Sequence, residues 1–237
     1  MVQCPVCKTQ NDDFATTCIQ CHSYIQNRIP NLDFFDMAWR VIETPRKAFH
    51  TISLAEHKNY SLFLFSLFGI SITFTAFWFF KLGDRFGNLL DLIIWALLAG
   101  AVLGLVVAPI TGGLHFLLTK LFKGKAGFRN SFGVMAYSLI PVVVSLILIL
   151  PIELLTFGMY LFTSNPHPFT IKPVSYVILL GFDGVVGFWS VLLAILGTRV
   201  SQRLSIALST AVVALILAML GGLFFFGGRE LQGVLWT

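Results

Sequence analysis

All four cysteines of this 237-residue chain lie in the stretch CPVCKTQNDDFATTCIQCH, which ends at residue 22. Thiols at this spacing support three chemistries. The pairs Cys4/Cys7 and Cys18/Cys21 form the two C-x-x-C knuckles of a zinc ribbon, Cys18-Ile-Gln-Cys21-His22 matches the C-x-x-C-H of covalent haem attachment, and four cysteines also make two disulfides. For zinc, each pair supplies two thiolates from one tight turn and the ten residues from Lys8 to Thr17 bridge the knuckles. Four sulfurs then close a tetrahedron that leaves no open position for catalysis. His22 either follows the second knuckle as a bystander or replaces one cysteine as ligand. The choice between the three chemistries depends on which side of a membrane the segment occupies.

Composition brings in that membrane. Hydrophobic residues make up 57% of the chain, charged residues 11%, and 24 positions are phenylalanine; the mean hydropathy is +0.84. Soluble domains carry roughly 25% charged residues. Here the charges crowd the first 58 positions and then stand between long uncharged runs. Five such runs read as membrane spans: Tyr60 to Phe80, Asp91 to Lys120, Asn130 past Pro141 to Pro151, Val174 to Thr198, and Leu204 to Gly228. The stretch from Pro151 to Thr163 is too apolar for a loop and reads as a tilted or interfacial extension of the third span.

Five spans put the termini on opposite sides, and the basic residues orient them. On the side of the N-terminus fall Lys8, Arg28, Arg40, Arg46, Lys47, Lys58, Lys120, Lys123, Lys125, Arg129, Arg199 and Arg203, twelve of the sixteen. Lys81, Arg85, Lys172 and Arg229 fall on the other. The expectation is an N-terminus in the cytoplasm and a C-terminus across the cell (inner) membrane. Haem is attached after export, yet residues 1 to 30 hold no apolar core of a signal peptide, and stable disulfides are rare in a reducing cytoplasm. One structural zinc on Cys4, Cys7, Cys18 and Cys21 remains, supplying most of the folding energy of a segment with almost no core.

Three parts follow: a ribbon over residues 1–27, surface helices over 28–58 and a bundle over 59–237. In the middle part Phe35, Ala38, Trp39 and Ile42 recur at helical spacing with Asp36, Arg40 and Glu43 on another face, giving an amphipathic helix. Thr44 offers an N-cap and Pro45 the first turn of a second short helix carrying Phe49 and Ile52. These helices lie in the headgroup zone or cap the inner ends of the spans.

Within the spans, depth at about 1.5 Å per residue sorts the ionisable groups. Asp91 and Glu153 fall near the outer surface and His115 near the inner one, so none of them need be buried. Only Asp183 falls near the midplane, where an aspartate is costly and is by default a functional candidate. The alternative is a hydrogen-bonded aspartate holding helices together, with Tyr137 or Ser145 as partner. Gly181, Gly184 and Gly187 around it invite close approach of a neighbouring backbone. Ala96, Gly100, Gly104, Ala108 and Gly112 form a longer small-residue stripe on span two, for packing inside the bundle or across a homodimer. Pro109 and Pro141 are candidate kinks.

The segments TPRKAF before span one, FRNSFGVMAYSLIPVV into span three and FWSVLLAILGTRVSQRLSIALSTAVVA across the fourth loop, in this order with five spans, resemble the Yip domain family of Ypt/Rab-interacting proteins. The resemblance covers roughly residues 36–226. It implies an all-α integral membrane fold, here a five-helix bundle preceded by short amphipathic helices and a zinc ribbon, an arrangement similar to prokaryotic members. Eukaryotic members bind small GTPases in membrane trafficking, but their acidic DLYGP type of motif is not found in this sequence.

Catalytic signatures are missing: no H-E-x-x-H, G-x-S-x-G or phosphate-binding glycine loop occurs. GFDG around Asp183 differs from an intramembrane aspartyl protease motif, which needs a partner aspartate at like depth. Nucleic acid is an unsuitable partner for a ribbon with Asp12 and Asp13 against Lys8. The expectation is therefore a non-enzymatic membrane adaptor or scaffold whose ribbon docks a cytoplasmic protein. The alternative is a permeation or lipid-handling protein using Asp183.

Overall fold

The computed structural model describes residues 2–12, 14–26 and 29–234. Asp13 of the ribbon's acidic pair, Arg28 of the charge count, the ribbon's boundary at residue 27 and the last three positions lie outside them. The ribbon is built from two small hairpins. Strands β1 (Val2–Gln3) and β2 (Gln10–Asn11) pair antiparallel, Val2 opposite Asn11, and a second antiparallel bridge joins Thr17 to Tyr24.

Helix α1 (Phe34–Glu43) starts where the Asp33 carboxylate accepts from the Asp36 amide at 2.8 Å, satisfying one of the free N–H groups of a helix start. Its apolar residues divide. Met37 and Val41 are buried against the bundle, whereas Phe35, Trp39 and Ile42 are exposed. Helix α2 (Pro45–Leu54) has Pro45 at its first turn as expected, but the Thr44 side chain makes no capping bond. Ala48, Phe49 and Ile52 of α2 are fully buried, so this helix covers the ribbon-side ends of the spans. Lys58 closes it, its ammonium donating to the carbonyls of Ser53 and Ala55, in keeping with a cation at a helix C-terminus.

Five helices are long and apolar enough to cross a membrane: α3 (Ser61–Phe79), α4 (Leu89–Leu121), the consecutive pair α5 (Phe128–Ser138) and α6 (Ile140–Phe157), then, after the one-turn α7 (Pro168–Ile171), α8 (Pro173–Gln202) and α9 (Ile206–Val234). The fold is all-α, multi-pass and membrane-spanning. The third span breaks at Leu139, two positions before Pro141, because a proline cannot donate to the helical ladder and crowds the preceding turn. Pro109, in contrast, stands inside an uninterrupted α4. The apolar segment after Pro151 continues α6 to Phe157 and then tightens into a 3₁₀ turn, Gly158–Phe162, that buries Leu161 and Phe162.

Packing is tightest between α3 and α4, and the small-residue stripe causes it. A Cβ built on Gly104 would lie 2.1 Å from the Phe65 carbonyl, and one on Gly69 2.2 Å from the Gly100 carbonyl, so the two backbones touch where only hydrogen fits. Ala96 and Ala108 are fully buried, and Gly112 meets Phe132 of α5. The face that sequence offers to a homodimer is thus occupied by α3 and α5 of the same chain. The glycines around Asp183 differ from expectation: Gly181, Gly184 and Gly187 have nothing within 4 Å of a built Cβ, so no neighbouring backbone approaches α8 there.

Candidate metal centre and intramembrane carboxyl pair

The two knuckles repeat one local geometry. Cys4 N donates to Thr9 O at 2.9 Å and Cys18 N to Ser23 O at 2.8 Å; Lys8 N reaches Cys4 O and His22 N reaches Cys18 O, both at 3.1 Å. Lys8 and His22 have φ of 62° and 56°, the left-handed conformation that turns each hairpin. His22 therefore serves the turn and stays outside the cluster formed by the four cysteines. The four sulfurs lie within 4.8 Å of one another, with Cys4–Cys21 at 3.6 Å and Cys7–Cys18 at 3.4 Å. These separations are far too long for disulfides and close to the edge, about 3.8 Å, of a tetrahedron with Zn–S bonds of about 2.3 Å. Hydroxyls stand at matched positions too, Thr9 at 3.3 Å from Cys7 Sγ and Ser23 at 3.0 Å from Cys21 Sγ. The Ser23 hydroxyl and then the Cys7 amide bring the Cys4 thiol down to about 6, and the Cys21 amide lowers Cys18. Thiolate is the form that binds metal; at Cys7, against the lowering by the Thr9 hydroxyl, burial and the Cys18 and Cys21 thiols raise the group, and it is the tetrahedral spacing of the four sulfurs that fits a structural zinc.

The ribbon is seated on the bundle. Arg203, in the turn between α8 and α9, makes a two-pronged ion pair with Asp12, 2.6 Å for Nη1 to Oδ2, and its guanidinium stacks 4.8 Å above the Phe14 ring. Phe14 in turn contacts His50 of α2, with ring centroids 5.2 Å apart. The guanidinium holds the Asp12 carboxyl below its ordinary range. Spacing gave no sign of this contact, which joins residues 191 positions apart. On the ribbon's remaining surface Val6, Ile19 and Tyr24 are 69%, 78% and 69% exposed. Val6 and Ile19 are the second residues between the cysteines and the first, respectively, so both sit on knuckle tips.

Asp183 meets Ser145, whose hydroxyl donates to Asp183 Oδ1. Tyr137, the other expected partner, donates instead to the Asn59 carbonyl at 2.6 Å. Glu153, expected near the outer surface, lies toward the end of the bundle away from the ribbon. It is half-buried and lines the same cavity as Asp183. His115, which depth near the inner surface left free to be exposed, is instead fully buried where α4 meets α8. Its Nε2 lies 2.9 Å from Thr198 Oγ1. Since the Thr198 hydroxyl donates to Ala194 O, Nε2 carries the proton, and Nδ1 has no partner among the described residues.

A Yip1 domain family model matches residues 39–228. No curated protein and no solved structure matches the chain.

Proposed function

The chain belongs to the Yip1 domain family, and from that premise we propose that it is a membrane adaptor, whose bundle anchors a zinc ribbon that docks a protein on the cytoplasmic face. One observation carries this reading: the ribbon is fixed to the bundle through Asp12 and Phe14 while its knuckle tips stay exposed, with Val6 and Ile19 offering apolar surface to a partner. The four cysteines hold one zinc, and its role is structural, since four thiolates leave no open coordination position. The twelve basic residues counted on the ribbon side support an N-terminus in the cytoplasm, with the bundle in the inner membrane. No catalytic role is assigned to any residue. The test is quantitative affinity capture from native membranes, comparing the intact protein with V6D/I19D and with a form lacking residues 1–27. A partner retained by the intact form and lost from the zinc-loaded double variant supports docking; identical partner sets for all three remove it.

A second reading, permeation or lipid handling, is favoured by the cavity that Asp183 lines. Flux of ions, solutes or lipids across reconstituted vesicles should change in D183N; unchanged flux in every assay discards that reading.

A further inference from the structure

On the ribbon side, where the first and third spans begin, α3 and α5 leave a cleft of about 510 Å³. Its lining carries two cations, Lys58 just before α3 and Arg129 in the first turn of α5, and no acidic residue among the described residues. Most of the remaining wall is apolar, with Leu62 and Phe63 from α3 and Phe128 and Phe132 from α5. Leu62, Phe63 and Phe128 are exposed.

Packing holds these groups together. The stem of Lys58 runs along α5, 3.2 Å from where a Cβ on Gly133 would stand. Gly133 is one turn beyond Arg129, and one turn further Tyr137 donates to the Asn59 carbonyl, so Lys58 and Arg129 share one face of α5. Phe132 packs on Phe65 of α3 with centroids 5.1 Å apart and on Phe128 at 5.9 Å, which makes the ring wall continuous between the two helices.

The two cations differ in what they have left to give. The Lys58 ammonium turns to the carbonyls of Ile52, Ser53 and Ala55, which take its N–H groups, while no carboxylate among the described residues balances its charge. Arg129 makes no hydrogen bond or ion pair among the described residues, and its planar fork of donors matches the oxygens of a phosphate. A free anion would answer the cations and leave the rings bare; a neutral hydrocarbon would do the reverse. A phospholipid does both, and the depth agrees, since the first turns of two spans lie where headgroup phosphates give way to acyl chains. A zwitterionic headgroup brings a second, cationic end that Lys58 and Arg129 repel.

We propose that this cleft binds one anionic phospholipid, its phosphate on Arg129 beside Lys58 and an acyl chain along Leu62, Phe63 and Phe128. The site is independent of both the adaptor and the permeation readings.

The test is native mass spectrometry of the full-length protein in detergent, with dioleoylphosphatidylglycerol and dioleoylphosphatidylcholine supplied in equal amounts. One phosphatidylglycerol should be retained per chain with a preference of about tenfold over phosphatidylcholine, and R129Q should bring the two lipids level. K47Q removes one charge from an exposed site on the same side of the bundle, outside the cleft, and should leave the preference unchanged. Should R129Q unfold, R129K takes its place; it keeps the charge, loses the fork and should reduce the preference about threefold. No preference in the native protein, full preference in folded R129Q or R129K, or an equal loss in K47Q overturns the proposal. Inorganic phosphate at the concentration of the lipid should displace none of it; displacement would show that the anion alone is the ligand and overturn the lipid site.

Discussion

Lys8 and His22 occupy matched places in the two knuckles, and both adopt the left-handed backbone that costs an L-residue roughly 1–2 kcal/mol and glycine almost nothing. K8G should therefore stabilise the metal-loaded ribbon by about 1 kcal/mol, read as a roughly fivefold slower loss of zinc to a chelator at fixed concentration. C7S should instead drop bound zinc from about one per chain to none by elemental analysis, since three thiolates cannot close the tetrahedron. The cysteines were legible in the sequence because their chemistry is local: two residues between thiols fix a turn, and the turn fixes the site. The surroundings of Glu153 and His115 were not legible. Each was placed by its depth along one helix, whereas what surrounds it is set by neighbouring helices that no spacing rule reports.

At the scale of elements, the α3–α4 contact depends on the absence of side chains at Gly69, Gly100 and Gly104. G104L should cost about 3 kcal/mol through backbone displacement and lower the thermal unfolding midpoint of the purified protein. G113L, on the same helix with nothing within 4 Å of a built Cβ, should leave the midpoint unchanged. The stripe itself was readable from its spacing of four; its partner was not. Small residues signal that something approaches closely, and only tertiary packing tells that α3 does so along span two while nothing does so along Gly181, Gly184 and Gly187. Helix α1 carries the same lesson. Its period gave an amphipathic helix, but the residues facing the bundle are Met37 and Val41, leaving Phe35 and Trp39 outward.

For the whole molecule, five apolar runs separated by charged islands determined the number of crossings, and each run became a span. The seating of the ribbon came from the three-dimensional arrangement alone. R203A removes both the two-pronged ion pair and the stack on Phe14, each partly exposed and together worth about 1 kcal/mol. Hydrogen–deuterium exchange in the ribbon and in α2 around His50 should rise severalfold. R203K, which keeps the charge but loses the planar fork, should fall between the variant and the native protein.

The pairing of Asp12 with Arg203 also has a meaning in time. A ribosome makes the ribbon first and completes Arg203 only after four spans. An even number of crossings returns the chain to the side where it began, so Arg203 arrives beside the waiting ribbon only if an even number of the four has failed to insert. One missed or inverted span strands the arginine across the bilayer. The salt link can therefore close only when the number of crossings made before Arg203 is even.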